Sequence, residues 1–367
     1  MNYRYNTYPY GHDYGNSKTC GIAHIGGATC ELSLPSALAE GSYEELSDKI
    51  SDGNLKQLGI INEHAHIIRV NGNELYVGDL AIEQSPSVSI AELTSRGDIS
   101  RYWSVRSLAM LLATSGTLIK DREYGLTVVS GLPIATHTPD NTNAVKAALE
   151  GDHAFTLDGV ERIAHVTIKK VIAEGSGANI AHGAIGKVKA GIVDVGGRTT
   201  DIYMVSGLAP IPDQCRSLDV GVETAMDTIA ASFEKAYHWP LSAMDAAKLQ
   251  VAYIGDKRYD MVASVRNANA NPHGVDALLS KAINETGRKL SGFIKRSWSS
   301  SLRSDVVAAD AEYVLLVGGG AYYFDESVKA LFPNRLIIPH KPECANASGY
   351  ARLALHFFKR ESKEMVV

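Results

Sequence analysis

The sequence predicts an α/β chain of two domains, and three observations predict it. Apolar runs of strand length alternate with segments whose apolar residues recur at helical spacing, the pattern of sheets covered by helices. The chain has 367 residues, more than one ordinary core accommodates. One short pattern, Asp-x-Gly-small-x-x-Thr, occurs near the start of each half, in "HDYGNSKT" and "VDVGGRTTD", with Asp13 and Asp194 181 residues apart.

The elements follow in order. "GHDYGNSKTCGIAHIGG" (11–27) reads as a hairpin, because Asp13, Gly15, Asn16 and Ser17 have turn chemistry and "CGIAHIG" (20–26) is a returning strand. The strand before it, "TYPYGHDYG", contains Pro9, which cannot donate to a ladder. Either that strand starts at Tyr10 and is short, or the N-terminus is remodelled. Its tyrosines (Tyr3, Tyr5, Tyr8 and Tyr10) supply packing or a subunit contact, or the segment is an extended edge. Residues 31–100 are weakly periodic, with short strands in "HIIRV" (66–70) and "ELYVGDL" (74–80). "RYWSVRSLAMLLATSG" (101–116) reads as a buried helix, and "GLTVVSGLP" (125–133) as a strand closed by Gly131 and Pro133. "NTNAVKAALEG" (141–151) is a helix capped by Asn141 or Thr142, with Gly151 just past its end. "VERIAHVTIKKVIAEGSGANIAHGAI" (160–185) gives strands, a glycine-rich corner and a helix of small residues. "AGIVDVGG" joins "LTVVSGLP" and "IKKVIAEG" as a buried strand. A turn and a long helix follow over 217–239, then helices over 275–298 and 346–360, with the strand and triple glycine of "AEYVLLVGGGAYYF" (311–324) before the last of them.

Composition narrows the function. Net charge is −5 and no run of Lys and Arg tracks a phosphate backbone, so direct binding to nucleic acid is disfavoured. The four cysteines, Cys20, Cys30, Cys215 and Cys344, form no CxxC pair and have no His at metal-ligand spacing. They read as reduced, mostly buried thiols in a cytoplasm. The N-terminus lacks the apolar core of a signal peptide, and the most apolar helix (107–119) falls short of the roughly 20 residues of a membrane span.

A tight glycine-rich turn between strands presents backbone N–H groups as a nest for phosphate oxygens. Ser17, Thr199 and Thr200 add hydroxyl donors. Asp13 and Asp194 repel phosphate directly but suit magnesium, held through its waters. Two such hairpins facing each other would grip a polyphosphate from both sides; either alone is an ordinary turn. Thr200 and Asp201 either join that site or only tie down the turn. The glycines of "VLLVGGGA" (314–321) make either a flat surface for an adenine and ribose or a plain strand-to-helix turn. Glu174, on a loop at a strand end, is either a solvated residue or the group that orients an attacking water.

Taken together, "HDYGNSKT", "AEGSGA", "GIVDVGGRTTD", "VLLVGGGA" and "NASGYARLA" occur in the order of the phosphate 1, connect 1, phosphate 2, adenosine and connect 2 motifs. The chain thereby resembles the superfamily of actin, sugar kinases and heat-shock chaperone ATPases. Within it, "TVVSGLP" and the Glu of "AEGSGA" are similar to bacterial and archaeal actin-like proteins of the ParM/StbA type. The resemblance spans residues 10 to 355 or so. It implies two ribonuclease-H-like (actin-fold) domains, 1–190 with 346–367 returning to it and 191–345, flanking a nucleotide cleft.

Carried over by position, Asp13 and Asp194 hold the waters of Mg²⁺. Gly15, Asn16 and Ser17 meet phosphates from one side, with Lys18 reaching the β-phosphate. Gly196, Gly197, Arg198 and Thr199 meet them from the other side. Glu174 orients the hydrolytic water, Gly318, Gly319 and Gly320 line the adenosine pocket, and Glu223 and Asp227 are ribose or purine contacts. The implied function is a cytoplasmic, filament-forming ATPase or GTPase that moves plasmid DNA through a DNA-binding adaptor protein, with its own copies as polymer partners. The alternative is a non-polymerising kinase for a small metabolite; a chaperone ATPase is the third reading.

Overall fold

The computed structural model describes residues 5–48, 55–85, 88, 90–95, 98–183, 188–207, 209–299 and 307–364. Tyr3, and residues 184 and 185 of the small-residue segment, lie outside them. The chain forms two compact units, Met1–Gly183 with Cys344–Val367, and Ala184–Glu343.

The first unit runs β1 (Asn6–Tyr14), β2 (Lys18–Ile25), β3 (Ala28–Pro35), β4 (Leu38–Glu40), α1 (Tyr43–Asp48), β5 (Ala65–Val70) and β6 (Asn73–Gly78). It continues through α2 (Asp79–Gln84), α3 (Ile90–Leu93), α4 (Val105–Leu118), β7 (Glu123–Leu132), α5 (Pro139–Leu149), β8 (Gly151–Leu157), β9 (Val160–Ala173) and α6 (Ser176–His182). Its strands form one sheet in the order β3-β2-β1-β7-β9-β8-β5-β6-β4. Neither expectation for the first strand holds: β1 is long and takes Pro9 into its interior. The parallel pairing with β7 covers Asn6 to His12, whereas the antiparallel pairing with β2 begins only at Tyr10. Pro9 therefore sits where the strand is paired on one flank, and a missing donor is tolerated there. Helix α4 packs into the core of this unit beside Tyr10, whose hydroxyl donates to Thr114 Oγ1 at 2.7 Å. Helix α5 starts earlier than expected: Thr138 is the cap, its Oγ1 accepting from Asn141 N at 3.3 Å. Pro139 fits the first turn, where no N–H partner is needed.

The second unit runs β10 (Lys189–Val195), β11 (Thr200–Ser206), β12 (Ala209–Pro210), β13 (Arg216–Leu218), α7 (Val222–Tyr237), α8 (Ala243–Ile254), α9 (Ala263–Asn267), α10 (Pro272–Trp298), β14 (Tyr313–Val317), α11 (Ala321–Lys329) and β15 (Leu336–Ile337). Its strand order is β12-β11-β10-β14-β15, with β13 also on β11. The pairings are antiparallel, antiparallel, parallel, parallel, the same succession as β3-β2-β1-β7-β9 in the first unit. Each unit is thus built on a ribonuclease-H-like sheet with its own apolar core. A boundary at 190/191 would cut β10, which lies whole in the second unit; the chain instead divides after Gly183.

The last helix, α12 (Ala345–Glu364), belongs to the first unit and lies against β1. A Cβ on Gly11 would stand 2.3 Å from Ala347 O and 2.4 Å from Ala351 N, so glycine alone lets helix and strand meet. Similarly, a Cβ on Gly349 would stand 1.8 Å from Gly177 O, where α12 crosses α6. The reading of four reduced thiols is corrected here. Cys20 on β2 and Cys344 before α12 form a disulfide, with Cα atoms 5.6 Å apart across 324 residues of sequence. Spacing rules register only close pairs, and this one is made by tertiary packing. Cys30 and Cys215 are free and half-buried. Among the described residues no helix is long and apolar enough to cross a membrane.

Candidate functional site

In the first unit, β1 and β2 make an antiparallel hairpin in which Asp13 is paired with Cys20. Strand alternation puts half-buried Asp13 on the face of Gly11, and the rings of Tyr10, His12 and Tyr14 on the other. The turn, Gly15 to Ser17, is held by its carbonyls. Tyr14 O accepts from Arg101 Nη2 at 2.9 Å, Gly15 O from Ser36 Oγ at 2.8 Å and Ser17 O from Ser36 N at 2.9 Å. Ser36 Oγ also lies 2.9 Å from Thr19 Oγ1, and both residues are fully buried. A Cβ on Gly15 would stand 2.6 Å from Lys18 O, so the turn closes this tightly only on glycine. The Lys18 side chain is exposed.

Glu174 follows β9, and its backbone N–H donates to Leu132 O at 2.9 Å, at the end of β7. Gly175, at φ +81°, turns the chain into α6. Asn346 of α12 clamps that corner, its Oδ1 accepting from Gly175 N at 3.0 Å and Ala178 N at 3.1 Å. Because β1, β7 and β9 are parallel, Asp13 and Glu174 stand at the same, carboxyl end of the sheet. The pKa of the buried Tyr102 phenol is pushed up by burial first and then by the Glu174 and Asp13 carboxylates.

In the second unit, β10 and β11 repeat the hairpin, with Asp194 paired with Asp201. Gly196 N donates to Thr199 O at 2.8 Å and closes the turn. Gly196 O accepts from Val222 N at 3.2 Å and Gly197 O from Glu223 N at 2.7 Å, so the first turn of α7 satisfies both carbonyls. Gly221 permits this approach, since its Cβ would stand 2.5 Å from Gly197 O. Arg198 is exposed and forks Asp219, with Nε–Oδ1 at 2.8 Å and Nη2–Oδ2 at 3.2 Å. Thr200 Oγ1 donates to Val220 O at 2.8 Å and Thr199 Oγ1 to Asp201 Oδ2 at 3.2 Å, so Thr200 and Asp201 tie the turn down. Burial pushes the Asp201 carboxyl up, against the pull of the Ser217 and Thr199 hydroxyls.

The glycines after β14 pack on the end of β10. Gly318 has φ +80°, and a Cβ there would stand 2.4 Å from Val195 O and 2.5 Å from Asp194 Oδ1. Gly320 N donates to Val195 O at 2.8 Å. A Cβ on Gly319 would meet nothing within 4 Å, which leaves open backbone surface beside Asp194.

The first unit thus gathers Asp13, Gly15, Asn16, Ser17, Lys18 and Glu174 at one sheet end. The second gathers Asp194, Gly196, Gly197, Arg198, Thr199, Glu223, Gly318, Gly319 and Gly320; exposed Asp227 stands one helical turn beyond Glu223. Sequence reading missed Ser36, Arg101 and Gly221, and gave Asn346 no role of its own. Gly221, a glycine directly before a helix, and Asn346, the first residue of "NASGYARLA", carried local signals. Among the described residues no group of three or more His, Cys, Asp or Glu forms a metal site. The donors fit instead a hydrated magnesium ion, which takes one or two carboxylates and completes its shell with water and phosphate.

Two family models match the chain: "Actin like proteins N terminal domain" over residues 11–177 and "Archaeal actin homologue MreB-like, C-terminal" over residues 192–330. Comparison with curated protein sequences gave no match. Among solved structures the chain is similar to Ta0583, an archaeal actin homolog, at 19% identity over 95% of this chain and 99% of that one, with TM-score 0.68. Ta0583 is also solved in complex with ADP. The chain is similar to ParM from a 15-stranded filament of Clostridium botulinum (19% identity, 96% and 99% covered, TM-score 0.67). It is likewise similar to apo psk41 ParM (13% identity, 97% and 99% covered, TM-score 0.65). With both halves matched and the sheet order repeated in each, the chain belongs to the actin-like proteins and has the fold of ParM and the archaeal actin homologues.

Proposed function

We propose that the chain is a cytoplasmic, filament-forming nucleoside triphosphatase, using ATP or GTP with Mg²⁺, that moves plasmid DNA through a DNA-binding adaptor. One observation carries the reading. In both Asp-x-Gly hairpins the carbonyls that would repel a phosphate are already engaged by protein donors: those of Tyr14, Gly15 and Ser17 in one, and of Gly196, Gly197 and Thr199 in the other. Such turns suit an anion, and a carboxylate stands at the strand end before each.

In this reading Gly15, Asn16, Ser17 and Lys18 bind phosphates in the first unit. Gly196, Gly197 and Thr199 do so in the second, with Arg198 exchanging Asp219 for phosphate. Asp13 and Asp194 hold the waters of the magnesium ion, which neutralises phosphate charge when bound. Gly318, Gly319 and Gly320 receive the nucleoside on open backbone, with Glu223 and Asp227 toward ribose and base. Glu174, fixed by the Asn346 clamp, orients the attacking water. The ADP complex of Ta0583 and the ParM filament support nucleotide and self-assembly by likeness of fold. The net charge of −5 supports an adaptor rather than direct contact with DNA. Cys20 and Cys344 are only 1% and 2% exposed, so their bond is reduced slowly by thiols.

The test is Glu174→Ala, with phosphate release and sedimentation measured together. The variant is expected to bind nucleotide and pellet as polymer while hydrolysing about 100-fold more slowly. Hydrolysis at the parent rate removes Glu174 from its role. A parent protein that gives neither light scattering nor pellet with ATP or GTP removes the filament, and faster transfer to a sugar than to water makes the chain a kinase.

A further inference from the structure

We infer that Arg101 is a positioning residue for the proposed hydrolysis: its guanidinium fork fixes the carbonyl that opens the first phosphate turn. The inference rests on the role given above to that turn. Arg101 lies in a single 3₁₀ turn, Ile99–Trp103, before α4, and is 2% exposed. Burying a guanidinium is costly unless its donors and its charge are compensated.

The donors are compensated locally. Nη2 donates to Tyr14 O at 2.9 Å, Nη1 to Thr94 O at 3.0 Å, and the Tyr102 hydroxyl lies 3.5 Å from Nη2. The Tyr14 and Tyr102 rings, T-shaped to each other with centroids 5.9 Å apart, both lie against the guanidinium carbon, with centroids 4.5 and 4.7 Å from it. Tyr14 is the residue between Asp13 and Gly15, so this fork sets the backbone from which the turn departs. None of these partners carries a formal charge. Burial disfavours the cation, and interactions with Tyr102, Tyr14 and the Glu174 carboxylate outweigh it, so the guanidinium stays protonated. A methionine would fill the same apolar space without joining the Tyr14 and Thr94 carbonyls. A lysine could donate to a carbonyl but would lose the planar fork.

The experiment compares the parent with Arg101→Met and Arg101→Lys by hydrogen exchange and by Mg-ATP hydrolysis. In Arg101→Met, amides of residues 14–18 are expected to exchange about tenfold faster while those of β14 are unchanged, and kcat is expected to fall about tenfold. Arg101→Lys is expected to regain part of kcat, since an ammonium donor can reach one carbonyl and the fork does not return. Unchanged exchange at 14–18, exchange that rises equally in both units, or equal kcat for Lys and Met each overturn the inference. A parent that hydrolyses no nucleotide refutes the function instead, and the exchange pattern then decides Arg101 alone.

Discussion

The two Asp-x-Gly hairpins have the same plan and different anchors. Each ends its first strand one residue after an aspartate and turns through a glycine. Each buries the threonine of the pattern completely, Thr19 on Ser36 Oγ and Thr200 on Val220 O. In the first unit the turn carbonyls are held largely by side chains, Ser36 and Arg101. In the second they are held by backbone N–H groups of α7, reached because Gly221 has no side chain to obstruct the approach, and Gly318 likewise lets its own loop close on Val195 O at the strand end. A turn anchored by side chains is lost by deleting atoms. A turn anchored by backbone is lost by adding them.

Three substitutions test that distinction. Gly318→Ala is expected to have the largest effect, about 3 kcal/mol, because it adds a Cβ at φ +80° against Val195 O and Asp194. Calorimetry should show the loss in the transition of the second unit; an unchanged Tm would break the comparison. Ser36→Ala comes next, at about 1–3 kcal/mol, since it strands the Gly15 carbonyl and the Thr19 hydroxyl without a partner. Its loss should be confined to the first unit in denaturant titration, and an equal loss in both would show that the anchors are not separate. The smallest effect concerns Asp201, at the position that Cys20 holds in the first hairpin. Its folded pKa is raised by burial, so the folded state takes up a proton before the unfolded chain does. Stability should therefore rise as pH falls from neutral toward the ordinary carboxylate range, by under about 2 °C in Tm. Asp201→Asn should flatten that slope; a slope that persists would assign it to another group.

What was legible in the sequence is what is local. The hairpins announced themselves by Gly, Asn and Ser between apolar runs, and α4 and α10 by their period. Asp13, Glu174, Asp194 and the triple glycine lay in short motifs whose order carried the resemblance. Ser36 and Arg101 did not, and Asn346 lay in one without its role showing, because each acts across long stretches of chain: Ser36 on Gly15, Arg101 on Tyr14, Asn346 on Gly175. Nothing near a lone serine or arginine says which carbonyl it will meet. Pro9 misled for a related reason, since its cost depends on which flank of β1 is paired, and that is set by β7 and β2 together.

The Cys20–Cys344 bond gives the chain a covalent topology that its sequence order hides. The bond makes a closed ring of residues 20–344, and all of the second unit lies on that ring as a loop whose two ends are fastened. A protease that nicks the loop anywhere along α7 to α11 opens the ring without releasing either piece. Strand β2 and the last helix stay joined as one molecule until a reductant separates them.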